Sequence, residues 1–198
     1  HTIHVMENVK PTECMRWAAL LHDVAKPDCK TTKDGIDHFY GHNARGEEMA
    51  RTVLRRLKFD NDTLHRVMRL VYWHDYGMGQ LPDIRSFRKS LNKMGPDLFG
   101  DYTDIKYADI MAQSDYMREQ KLDNLEQLKK YYEQIREEQQ CLTMKDLAVT
   151  GKDLIALGMA PGRELGMVLS YLLDVVLDEP EQNKKDTLLK LAMDKIHI

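Results

Sequence analysis

The chain has 198 residues, of which 42% are hydrophobic and 31% charged, with a formal net charge of −3. That length can bury a real core, as one domain plus a smaller appendage. The charge excludes a uniformly basic polymer-binding surface, so any nucleic-acid contact must come from local patches. The three cysteines, Cys14, Cys29 and Cys141, are scattered and read as reduced thiols, against a disulfide framework or a structural zinc knot. No apolar run approaches the roughly 20 residues that span a bilayer, and no signal-peptide pattern opens the chain. The expectation is a soluble, cytoplasmic protein. Its first residue is His1 rather than Met, which reads as a processed or excised piece.

The periodicity is helical almost throughout, and no stretch alternates well enough to be a strand. Met15, Ala18, Leu21 and Ala25 share one face of a first helix that Thr12 caps and Pro27 ends. Residues 26–41 form a polar connection with Pro27, Gly35 and Gly41, and at roughly fifteen residues it exceeds ordinary loop length, which favours a functional loop. A second helix runs from about Asn43 to Leu57. A third starts at Asp60-Asn61-Asp62, carries Leu64, Val67, Met68, Leu70 and Val71, and reaches His74 before Gly77 and Gly79 break it.

Residues 83–93 are a short basic helix stopped by Gly95-Pro96, and Asp101 to about Glu119 is another helix, with Asp109 inside it. From 117 to 140 only Met117, Leu125, Leu128 and Ile135 form an apolar stripe, which predicts a long, largely solvated connector. The expected organisation is all-α: a helical bundle over 1–120, a connector helix over 121–146 and a small helical tail over 147–198.

The chemistry gathers in the first part. His22-Asp23 sits at the polar end of the apolar helix Arg16–Leu21, with Lys26 beyond it. Imidazole suits transition ions, and a carboxylate suits both these and harder ions, so the adjacent pair can grip a divalent cation from two sides. A carboxylate can also bridge two cations, and Asp23 is the best candidate for that part. His1, His38, His42, His74 and Asp109 complete an order of His, His-Asp, His, His, His, Asp that suggests a metal-centred hydrolase site built from helix ends. Taken singly, each residue also has a plain reading: Asp23 as a cap, Asp109 as an arginine partner, and His1 as a tag remnant. His4, His65 and His197 are read as surface or capping residues.

Together, His1-Thr2, Leu21-His22-Asp23 with Lys26-Pro27, His38-Phe39-Tyr40-Gly41-His42, His74 and Ala108-Asp109 resemble an HD-domain phosphohydrolase. Arg16-Trp17-Ala18-Ala19-Leu20-Leu21-His22-Asp23, the tail Thr150-Gly151-Lys152-Asp153-Leu154 and Gly158-Met159-Ala160-Pro161-Gly162 resemble the C-terminal half of bacterial CCA-adding tRNA nucleotidyltransferases, of the poly(A) polymerase family. The resemblance implies that His1, His22, Asp23 and Asp109 hold a first ion and that His42 and His74 belong to a second. It implies that Asp23 and Lys26 are catalytic, Lys26 offsetting phosphate charge in the transition state. His38 is implied only as a supporting or phosphate contact. Ala25 departs from the glycine that many HD proteins carry before the lysine. Nothing in the chain matches the Gly-Ser element and carboxylate pair of the family's nucleotidyltransferase head, so CCA addition is not housed in these residues.

Arg85, Arg88, Lys89 and Lys93 fall on a common helical side, either an ordinary solvated face or a contact to an RNA phosphate backbone. In the tail, Thr150 and Asp153 form a shortened capping box, Gly158 ends that helix, and Pro161 starts the next at its first turn. Lys152 and Arg163 flank a turn that is either structural punctuation or a phosphate-binding helix start. The tail has no evident aromatic platform for base stacking.

Two functions compete on these grounds. One is a phosphohydrolase acting on a phosphoester or nucleotide with one or two divalent ions (Mg, Mn, Ni, Fe and Zn being indistinguishable). The other is a non-catalytic body and tail that holds tRNA. A regulatory module binding a nucleotide without turnover is a third.

Overall fold

The computed structural model describes residues 1–196; His197, expected to be a surface or capping residue, lies outside the described residues. Helices make up 69% of the described residues, whose only sheet has two strands, so the fold is all-α. The chain divides into two compact units, His1–Leu81 with Asp97–Lys129, and Pro82–Pro96 with Lys130–Ile198.

The first unit contains α1 (Thr2–Asn8), α2 (Glu13–Leu21), a short α3 (Lys26–Cys29), β1 (Thr31–Lys33), β2 (Ile36–His38), α4 (His42–Arg56), α5 (Asn61–Trp73), α7 (Phe99–Ala112) and the start of α8 (Arg118–Glu137). Its helices begin where side chains satisfy their free N–H groups: Thr12 Oγ1 accepts from Met15 N, and Asp60 Oδ1 accepts from Thr63 N. Val5, Met15, Ala18, Leu54, Val67, Leu70, Val71, Ile105 and Ala108 are almost fully buried and form the core, with α5 packed against both α2 and α4. Gly46 lets Val71 of α5 pack against α4, because a Cβ there would lie 3.1 Å from Val71 Cγ1.

The second unit contains α6 (Ile84–Met94), the end of α8, α9 (Gly151–Ala156), α10 (Arg163–Asp178) and α11 (Lys185–Ile196). The apolar stripe of α10 buries Val168, Leu172, Leu173, Val176 and Leu177, and α10 packs on α6, α9 and α11. Each such side chain fully removed from water contributes about 1.5–3 kcal/mol.

Four local expectations are corrected. Residues 31–38 are not simply an irregular connection: β1 and β2 pair antiparallel across Asp34-Gly35, both with positive φ (53° and 76°), as a two-residue hairpin requires. The strands escaped notice because five of their six residues are exposed and hydrophobic alternation is lacking. Pro27 does not end α2, which stops at Leu21; Pro27 instead sits in the first turn of α3, where its missing N–H matters least. The helix around Asp109 starts at Phe99 and ends at Ala112, not near Glu119, and Met117 turns with φ 54° before α8 begins. Pro161 precedes α10 rather than opening it, since Gly162 (φ 151°) is the capping residue. The Thr150/Asp153 capping box is formed as expected, with Thr150 N donating to Asp153 Oδ2 at 2.7 Å.

Candidate metal centre

Separate helix ends bring the His/Asp set of the first unit together. His1 caps α1, His22 and Asp23 follow α2, His42 opens α4 after Gly41 in a left-handed conformation (φ 77°), His74 closes α5, and Asp109 lies within α7. Glycine suits position 41 because other side chains rarely adopt that φ. His22, His42, His74 and Asp109 are buried, at 0%, 7%, 1% and 3% exposure, which is where ionisable groups are rare unless they are paired or ligating.

The imidazoles share one arrangement. Their Nδ1 atoms lie against backbone carbonyls: His1 on Ala112 at 3.3 Å, His22 on Ala19 at 2.7 Å, His42 on Phe39 at 2.8 Å and His74 on Val71 at 2.7 Å. A carbonyl accepts only, so each Nδ1 carries the hydrogen, and in the neutral ring Nε2 presents a lone pair. Those Nε2 atoms face one another, His1 to His22 at 3.1 Å and His42 to His74 at 3.3 Å. Two lone pairs at that distance repel unless a proton or a cation lies between them. Neighbouring ligands about 2.1 Å from a shared ion would stand roughly 3.0–3.4 Å apart.

Asp23 faces both pairs. Its Oδ2 lies 3.2 Å from His22 Nε2 and 3.6 Å from His1 Nε2, and its Oδ1 lies 3.4 Å from His74 Nε2 and 3.9 Å from His42 Nε2. The atoms of His1, His22 and Asp23, and those of Asp23, His42 and His74, each gather within 4.8 Å, so two groups able to hold an ion share one carboxylate. Asp109 Oδ1 sits 3.0 Å from His1 Nε2 and 3.6 Å from His22 Nε2. Asp23 Oδ1 and Asp109 Oδ1 are buried without a hydrogen-bond partner, and an orphaned buried carboxylate oxygen is costly unless a cation meets it. The donor set therefore fits a divalent ion.

Titration points the same way. Burial disfavours the His22 imidazolium, yet Asp109 and Asp23 outweigh it and push its pKa up to about 9. Burial likewise opposes ionisation of Asp23, but His22, His74 and Lys26 hold its carboxyl well below the usual carboxylate range. The space between these groups favours positive charge. Lys26 Nζ supplies some, donating to Asp23 Oδ2 at 2.7 Å at the mouth of the cluster.

Three contributors went unnoticed in the sequence. Asp75 Oδ2 lies 3.7 Å from His42 Nε2, and its signal was available, since His74-Asp75 repeats the His22-Asp23 pair. Gln113, one turn after Asp109, donates to Asp109 Oδ2 at 2.9 Å and accepts from Lys121 Nζ at 2.7 Å, fixing the carboxylate. Lys106, fully buried, donates to Tyr76 O at 2.5 Å beside the Tyr102 hydroxyl at 2.8 Å, so two donors pin the turn after His74. A buried lysine carries no periodicity signal that separates it from a surface one.

The remaining candidates stand elsewhere. His38 stacks on Tyr40 at the end of the hairpin. In the second unit Arg88 is 4% exposed and donates to Gln140 Oε1 and Leu177 O, both at 2.7 Å, so it does not share a solvent-facing side with Arg85 and Lys89. Those two pair with Asp178, at 2.7 and 2.5 Å. Lys152 and Arg163 are exposed, and Arg163 lines a pocket of about 880 Å³ with Met144, Met159, Met167, Tyr171 and Lys195. His4 and His65 are exposed, as expected. No helix among the described residues is long and apolar enough to cross a membrane.

Comparison with known proteins places the chain in a family. The model of tRNA nucleotidyltransferase domain 2 (putative) matches residues 39–192, and the chain belongs to that family. It is similar to the CC-adding tRNA nucleotidyltransferase of Thermus thermophilus, with 33% identity over 162 residues, covering 80% of this chain and 35% of that protein. The A-adding tRNA nucleotidyltransferase of Deinococcus radiodurans is 37% identical over 90 residues, covering 42% of this chain and 20% of that one. A multifunctional CCA protein of Actinobacillus pleuropneumoniae is 34% identical over 84 residues, covering 38% and 20%. The chain thus spans from a fifth to about a third of the length of these relatives. No solved structure matches it.

Proposed function

We propose that this chain is the helical body and tail of a tRNA nucleotidyltransferase, and that it serves to hold tRNA. The observation that carries this reading is the family match over residues 39–192, which takes in most of both units, with relatives named for adding nucleotides to tRNA. The exposed cations Lys152 and Arg163, which have no ion-pair partner among the described residues, are the phosphate contacts in this reading. Filter binding of tRNA over rising KCl tests it. Lys152→Glu and Arg163→Glu should each weaken binding and lower the slope of log K against log salt by about 0.7–0.9. Unaltered binding and slope in both variants would overturn this assignment.

One observation favours a second activity in the same chain: the opposed Nε2 pairs of His1/His22 and His42/His74 around Asp23. We infer an HD-type phosphohydrolase site in which His1, His22, Asp23 and Asp109 hold one divalent ion and Asp23, His42 and His74 a second. Such ions would acidify an attacking water and screen the phosphoryl oxygens. Asp23 joins the two halves, Lys26 meets the phosphate at the mouth, and the carbonyl-bound Nδ1 atoms keep every imidazole in one tautomer. Metal analysis of the purified chain, followed by hydrolysis of bis(p-nitrophenyl) phosphate with Mn, Ni or Mg, tests this reading. Asp23→Ala should abolish turnover with helicity retained; equal turnover would sink it.

A further inference from the structure

Beside the His/Asp cluster the first unit opens a pocket of about 380 Å³. Whole small molecules occupy pockets of about 300–1,000 Å³, so this one has room for more than a phosphate group. Part of its wall has no role in holding an ion. Tyr40, just after β2, lines the pocket yet is 78% exposed. His38 lies parallel to its ring, with centroids 5.2 Å apart and planes 9° from each other. One face of Tyr40 is thus backed by His38 while most of the ring stays open to solvent. Next to it, Phe39 carries Lys26 Nζ at 5.7 Å from its ring centroid, and the same ammonium donates to Asp23 Oδ2. The chain therefore sets out, in order, an aromatic face, a cation and the carboxylate–imidazole cluster.

We propose that Tyr40, held by His38, stacks the base of a nucleotide phosphoester whose phosphate lies between Lys26 and the His/Asp cluster. The pocket then selects a phosphoester that carries a base, free or at an RNA end, over one that does not. Base–aromatic stacking tolerates any base, because every base has a π-face, so the selection is for nucleotides as a class. The hairpin gains a purpose in this view: after its tight Asp34-Gly35 turn, β2 leads to Tyr40 in the pocket wall, with His38 stacked against it. The inference rests on the phosphohydrolase reading of the same site.

Calorimetry on the full chain with Mn, using adenosine 5′-monophosphate, ribose 5-phosphate and a 3′-phosphorylated RNA trinucleotide, tests it. The mononucleotide should bind about tenfold more tightly than ribose 5-phosphate. Tyr40→Ala should remove that advantage, Tyr40→Phe should keep it, and ribose 5-phosphate should bind both variants as it binds the parent. Tyr40 is exposed, so neither change threatens folding. A trinucleotide that outbinds the mononucleotide, and loses that lead in Tyr40→Ala, assigns the site to RNA ends; the reverse order assigns it to free nucleotides. Equal affinity of mononucleotide and ribose phosphate, indifference to Tyr40→Ala, or no binding of either nucleotide overturns the proposal. Titration of Mn without nucleotide separates the two readings: absent Mn binding with a Tyr40-dependent advantage defeats only the metal site.

Discussion

The two units handle charge in opposite ways. In the first, carboxylates and imidazoles turn inward until Asp23 and Asp109 each keep a buried oxygen without a hydrogen-bond partner. In the second, the charges cancel locally: Arg85 and Lys89 meet Asp178, Lys185 meets Asp153, and Arg88 finds a carbonyl and an amide oxygen. Ion pairs at a solvated surface, such as those of Arg85 and Lys185, contribute little, and any surface helix can carry them. Buried, incompletely partnered carboxylates destabilise a fold unless a ligand meets them. The contrast teaches where to look for ligand chemistry: the first unit keeps buried carboxylate oxygens that positive charge would stabilise, and the second pairs its charges locally.

The sharpest way to break this contrast is Asp109→Leu. Removing the carboxylate from the His1/His22 half should lower Mn affinity there by at least about a hundredfold, read by calorimetry, while tRNA affinity changes little. Retained Mn affinity would take Asp109 out of the site. Next comes Gly46→Val. With 3.1 Å between the position of a Cβ and Val71 Cγ1, the larger side chain forces α4 from α5 and separates His42 from His74. It should cost about 1–3 kcal/mol of unfolding free energy, read by denaturant titration, and weaken the His42/His74 half more than the other.

Lys106 offers a test through pH. Burial holds its amine down to about 7, against the opposing pull of Asp75 and Asp109, while the unfolded chain keeps the ordinary value of 10.5. Between those values the unfolded state binds more protons, so stability from this residue rises with pH across that window and is flat below it. The stability of the parent relative to Lys106→Met should therefore improve by about 1–3 kcal/mol between about pH 6.5 and about pH 9.5. A constant difference would show that the amine is already solvated. The smallest effect belongs to the second unit. Asp178→Ala, which removes the half-buried partner of Arg85 and Lys89, should lower the unfolding free energy by less than about 1 kcal/mol. A loss as large as that of Gly46→Val would erase the contrast.

Much of the helical scaffold was legible because it rests on local rules. The stripe Leu64, Val67, Met68, Leu70 and Val71, the caps Thr12 and Asp60, and the Thr150/Asp153 box each follow from side chains a turn apart. The hairpin was missed because short, exposed, polar strands leave no alternation to read, although Asp34-Gly35 carried the turn signal. The stop of α7 at Ala112 was missed because Gln113–Met117 contains no glycine or proline to mark a break.

For the site, residue type was readable and direction was not. The His/Asp order suggested a metal site, and the resemblance to HD-domain phosphohydrolases implied His1, His22, Asp23, His42, His74 and Asp109 as its ligand set. The Nδ1 contacts of His22, His42 and His74 to carbonyls three residues back, and that of Gln113 to Asp109, are local. That His1 Nδ1 finds Ala112, that Asp23 turns one oxygen to each pair of imidazoles, and that Lys106 reaches Tyr76 depend on packing between elements far apart in sequence. The same holds for the basic helix, where an even spacing of cations concealed that α10 would bury Arg88 and leave Arg85 to Asp178. The sequence by itself determined which helices form and which residues can ligate, because both follow from interactions within a few residues. Only the tertiary structure decided which charges meet and which stay unpaired, because burial and long-range packing set the local dielectric and the partners.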